Sequence, residues 1–85
     1  MDAKKATSRH VRENGIVRLL PGRKGLALRA GRGTFLVTQE RDPEDHVLEP
    51  SRVYRARRRG LVVVWALSDG ELDVEPDAGE PPEAA

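Results

Sequence analysis

The chain has 85 residues, 38% hydrophobic and 34% charged, with eight glycines, six prolines and no cysteine. That length builds one small core, which argues against a large multi-step enzyme with a deep cleft, and the lack of cysteine removes disulfides, a thiolate nucleophile and cysteine-based metal sites. The net charge of +1 hides a division: all fifteen Lys and Arg fall in residues 1–60 with seven acids, while residues 61–85 carry the other seven acids and no base.

Residues 1–14 lack a sustained apolar period and read as a flexible polar, basic arm, with a short helix over 8–13 as its one structured option. This polar start has no apolar signal-peptide segment, and no apolar run approaches the roughly 18 residues of a membrane span. A cytoplasmic address with no membrane partner is expected. From 15 to 74, short apolar runs alternate with turn residues every eight to twelve positions, the pattern of an all-β sandwich or barrel.

Residues 16–20 form the first predicted strand, stopped by Pro21-Gly22, where proline presets φ and glycine accepts positive φ. Residues 26–30 and 34–40 read as two strands of a hairpin across Gly31-Arg32-Gly33. In the second, Phe35 and Val37 share one face while Thr34, Leu36 and Thr38 share the other. Residues 41–45 are an acidic turn around Pro43, and 46–50 a short strand ended by Pro50-Ser51. Residues 51–60 fit a strand, with an arginine-rich helix capped by Ser51 as the alternative. Residues 61–67 are the most apolar run, rich in β-branched residues, and read as a strand buried on both faces. Residues 71–74 alternate strictly, Leu72 and Val74 inward and the acids outward or at an edge. Residues 75–85 combine acids with three of the six prolines and read as an acidic disordered tail. The core expected from this pattern is Leu19, Leu28, Phe35, Val37, Leu48, Val53, Val62, Val64, Trp65, Leu67 and Leu72, with Trp65→Ala costing about 3–5 kcal/mol.

Residues 33–40, 42–50 and 61–67 together resemble a bacterial family of short proteins built on a domain of unknown function, over roughly residues 16–74. Its pattern is a glycine, two variable residues, an aromatic, an apolar residue and a threonine, then an acidic turn, a D-x-x-L-x-P-G step and a long apolar strand ending in Ala-Leu. The chain departs from it at Leu36, where the aromatic is expected, and at Ser51, where glycine is expected. The resemblance implies a small antiparallel β-sandwich or roll, half-cupin-like, and no particular activity.

No motif in the chain points to catalysis. Ser8, Ser51 and Ser68 lie outside any nucleophile-elbow pattern. Gly22-Arg23-Lys24-Gly25 and Gly31-Arg32-Gly33 lack the P-loop spacing and read as turns. Glu40, Asp42, Glu44 and Asp45 read as an exposed loop around Pro43. His10 and His46 are the only histidines, and His46 with Asp45, Glu44 or Glu49 has no metal-ligand spacing, so a polar turn is the simpler account. No cofactor and no metal are expected.

Two surfaces remain as binding candidates. Arg52, Arg55, Arg57, Arg58 and Arg59 surround Tyr54, a basic cluster of the kind that binds nucleic acid or another polyanion weakly and salt-dependently. The same cluster also reads as a charged edge strand that resists aggregation. Apolar residues on both sides of the last strands would suit a homodimer. The reading reached is a non-catalytic binding or scaffolding module that works through self-association, with a nucleic-acid-binding barrel as the alternative.

Overall fold

A computed structural model describes residues 7–76. These form eight strands: β1 (Thr7–Val11), β2 (Ile16–Leu19), β3 (Leu26–Arg32), β4 (Phe35–Gln39), β5 (His46–Leu48), β6 (Val53–Ala56), β7 (Val62–Ala66) and β8 (Gly70–Pro76). They pair antiparallel into two four-stranded sheets, sheet I in the order β1-β8-β3-β6 and sheet II in the order β2-β7-β4-β5. That order is a complete double-sheet jelly roll. The all-β expectation holds, and residues 53–56 are strand rather than helix.

Alternation along the strands builds the interior. Leu28 and Ala30 of β3 and Leu72 of β8 face Phe35 and Val37 of β4 and Val62, Val64 and Ala66 of β7, all essentially inaccessible to water. Each large side chain in this set contributes on the order of 1.5–3 kcal/mol by burial. One polar group joins them. Gln39 is buried, and its Nε2 donates to the carbonyls of Arg58 at 2.9 Å and Gly60 at 3.2 Å, which pins the β6–β7 loop to the end of β4.

The structure corrects the sequence reading at several points. The arm expected over 1–14 enters the sheet at Thr7: β1 pairs with β8 from Thr7↔Val74 to Val11↔Gly70, and no helix covers 8–13. Four of its five residues are exposed because β1 is an edge strand, so no apolar period marked it. Residues 1–6 lie outside the described residues. At the other end, Glu75 and Pro76 belong to β8, and the rest of the expected tail, 77–85, is likewise outside.

Residues 26–40 are not a hairpin. β3 pairs with β8 and β6, whereas β4 pairs with β5 and β7, so the intervening turn crosses from one sheet to the other. Gly33 makes the crossing possible. Its φ is +79°, and a Cβ there would lie 2.6 Å from the Asp69 carbonyl oxygen, where the β7–β8 turn packs against it. A pair of turns in backbone contact holds the corner that a hairpin would have left open.

The run 61–67 is not buried on both faces. Val62, Val64 and Ala66 point inward, but Trp65 is 42% exposed and Leu67 40%. Val53 is also exposed and Leu19 only partly buried, so Trp65, Leu67 and Val53 leave the expected core. A wholly apolar run does not say which of its faces meets the other sheet. Finally, β8 runs between β1 and β3, so its acids are outward but not at an edge.

Candidate functional site

The turns gather at the two ends of the roll. One end holds the β1–β2, β3–β4, β5–β6 and β7–β8 connections. There the Glu13 N–H donates to Asp69 Oδ1 at 2.7 Å and the Thr34 N–H to Ser68 Oγ at 3.2 Å. The other end holds residues 20–25, 40–45 and 57–61, the last two tied together by Gln39 and by the Leu61 N–H donating to Glu40 Oε1 at 3.0 Å.

The arginine cluster does not form one surface. Arg52 sits in the β5–β6 turn at the first end, its N–H donating to the Glu49 carbonyl at 2.9 Å. Arg57, Arg58 and Arg59 lie in the β6–β7 loop at the opposite end, separated from Arg52 by β6, about 13 Å of strand. Arg55 projects from the outer face of sheet I, opposite Ala27. Tyr54 turns the other way: half-buried, it packs on the core and against the His46 ring, centroids 4.9 Å apart. The aromatic that these arginines flank in sequence therefore faces inward.

At the second end Asp42, His46, Tyr54 and Arg58 come together. The Asp42 carboxylate accepts from His46 Nε2 at 2.9 Å and from the Glu44 N–H at 3.0 Å. These bonds, the histidine first, hold its carboxyl below the usual aspartate range. Burial pushes the Tyr54 hydroxyl up, and the nearby Asp42 charge adds to that. The partner of His46 is thus the carboxylate four residues earlier, not Asp45, Glu44 or Glu49. Among the described residues no three or more His, Cys, Asp or Glu converge as a metal-holding group, and His10 sits on the exposed edge strand opposite Glu71. An open groove of about 420 Å³ beside this cluster runs between β5 and β6, lined by His46, Val47, Glu49, Arg52 and Tyr54 among others. Its polar lining is His46, Glu49, Arg52 and Tyr54, interspersed with the apolar Val47, Leu48 and Val53.

The outer faces of the sheets differ sharply. Sheet I presents Glu71, Asp73 and Glu75 along its inner strand β8, flanked in register by Arg32, Arg29 and Ala27 of β3, with Arg55 beyond. Ser8 Oγ donates to Asp73 Oδ1 at 2.7 Å across the β1–β8 pair. The acidic strand β8 thus lies among the bases of sheet I.

Sheet II presents hydrocarbon. The register places Ile16, Trp65, Leu36 and Val47 in one row that crosses all four strands. Ile16 is 53% exposed and Val47 58%. The next row is Arg18, Val63 and Thr38, and Leu67 lies exposed beyond Trp65. The indole is held in place by its Nε1–H, which donates to Asn14 Oδ1 at 3.3 Å. Asn14 itself has φ +71°, a conformation asparagine tolerates, and its N–H donates to the Ala66 carbonyl at 2.7 Å. The sequence reading placed apolar residues on both sides of the last strands but did not find this row. Its signal was present: β2, β4, β5 and β7 each carry apolar residues at both parities.

No family model matches the chain, and no curated protein does. Among solved structures, that of a CooA mutant from Carboxydothermus hydrogenoformans is similar, with a TM-score of 0.54 and 13% identity, over 82% of this chain and 48% of that one. The chain therefore spans about half of that protein, and the likeness is one of fold.

Proposed function

We propose that the chain is a non-catalytic binding and scaffolding module of the cytoplasm, a small cupin-like roll that works by self-association through the outer face of sheet II. The observation that carries this reading is the row Ile16, Trp65, Leu36 and Val47, hydrocarbon across the full width of a sheet. Contiguous apolar surface on a small domain marks a place where something docks, and a core of this size is helped by a partner that covers it. Sedimentation velocity of the full chain across a concentration series tests the proposal, with Trp65 fluorescence recorded in parallel. A dimer and a blue-shifted emission are expected as concentration rises; a monomer at every concentration overturns the reading.

The nucleic-acid alternative has less behind it. Its arginines are split between the two ends of the roll and one outer face, and Tyr54 is turned toward the core. Titration with labelled oligonucleotides at low salt is expected to show negligible binding.

A further inference from the structure

We infer that the second copy docks about a two-fold axis that lies midway between the two copies of sheet II and runs parallel to their strands, so that Arg18 of each chain meets the partner's Asp45. The inference rests on the self-association reading and specifies its geometry. It comes from the distribution of charge around the apolar row. Arg18 is exposed on β2, one free edge of sheet II, in the row next to Ile16 and Trp65. Asp45 immediately precedes β5 and Glu49 immediately follows it, so strand alternation puts both on the side of Val47, at the other free edge. Both acids are exposed. The face therefore carries hydrocarbon in the middle, one base at the β2 edge and two acids at the β5 edge.

Such a face is complementary to itself in one orientation. A two-fold axis along the strands lays β2 over the partner's β5 and keeps each row over its own copy. Arg18 then faces the partner's Asp45, Ile16 faces the partner's Val47, and Trp65 lies against the partner's Leu36. An axis across the strands instead lays β5 over the partner's β5 and sets Asp45 against the partner's Glu49, like charge against like, which disfavours that arrangement. The favoured axis also keeps the strands of the two packed sheets nearly aligned, the common geometry for sheets packed face to face about 10 Å apart.

The chain has no cysteine, so single cysteines report contacts cleanly. Ile16→Cys and Val47→Cys change exposed positions and leave the core intact. When the two variants are mixed and treated with a short bis-maleimide, the 16–47 product is expected to dominate, with neither variant linking to itself efficiently. Predominant 16–16 and 47–47 products would overturn the arrangement. In the second arm, Arg18→Asp and Asp45→Arg are each expected to weaken the dimer about tenfold or more, and the double swap to recover most of that loss. A double swap as weak as either single one sinks the pairing. Trp65→Glu separates this inference from the reading beneath it. A wild-type dimer that Trp65→Glu dissociates, but that is indifferent to the charge swaps, leaves self-association standing and removes the axis. A wild-type chain that never dimerises removes both.

Discussion

The two sheets of the roll have similar inward faces and opposite outward ones. Outward from sheet I, Asp73 and Glu71 of β8 stand in register with Arg29 and Arg32 of β3, so this face is polar and carries both signs of charge. Outward from sheet II, the matching positions carry Ile16, Trp65, Leu36 and Val47. Both sheets obey the same period of two and fold for the same reason, burial of their other face. The polarity of the outward positions was therefore free to diverge, and it is the better guide to what each surface meets.

The sharpest probe of this contrast is a pair of neighbours on β4. Phe35 points into the core and is fully buried, whereas Leu36 points out. Phe35→Ala is expected to cost about 3–5 kcal/mol in chemical denaturation, enough to unfold a domain this small. Leu36→Ser should leave the monomer within about 1 kcal/mol of wild type and weaken association instead. Equal losses for the two would mean that the outer face of sheet II is covered within the monomer. Trp65→Ala comes next. With the indole 42% exposed, its effect on monomer stability should be about 1 kcal/mol, well short of the core value that the apolar run alone implied.

A smaller effect is expected on sheet I. Asp73→Ala removes the acceptor of the Ser8 hydroxyl and the charge opposite Arg29, at a cost of about 0.5–1 kcal/mol. It should leave the oligomeric state unchanged. The smallest effect belongs to Asp42. Because the folded protein holds its pKa below the unfolded value, its contribution is whole at neutral pH and is lost as pH falls through the acid range below about 4. Asp42→Asn should flatten that part of the pH–stability profile and leave the region above pH 6 nearly parallel to wild type; an unchanged acid limb would show that the His46 contact does not matter to folding.

Much of the fold was legible in the residues. The turn residues divide the chain where the strands end, and the alternation in β8 gives Leu72 and Val74 their correct side. Sheet membership was not legible. Nothing local distinguishes a turn that closes a hairpin from one that crosses between sheets, and the crossing at Gly33 depends on contact with Asp69 and Gly70. Edge strand β1 was hidden because it buries almost nothing but Val11. Trp65 was misplaced because size and apolarity indicate the interior on average, while parity with Val64 decides it here.

Ser51 is a more instructive position. Ser51 has φ +70° in the tight β5–β6 turn, a conformation that glycine adopts at no steric cost. Ser51→Gly is expected to raise stability by up to about 1 kcal/mol, because relief of the left-handed conformation outweighs the freer unfolded chain.

The pairing of the first described strand with the last has a consequence for biogenesis. Among the described strands β1 finds its ladder only in β8, and β2 only in β7, so each of these strands must wait for a partner made far later in the chain to leave the ribosome. Nascent strands with hydrocarbon at both parities are exposed throughout that interval, and refolding dominated by such distant closures should take milliseconds to seconds rather than microseconds.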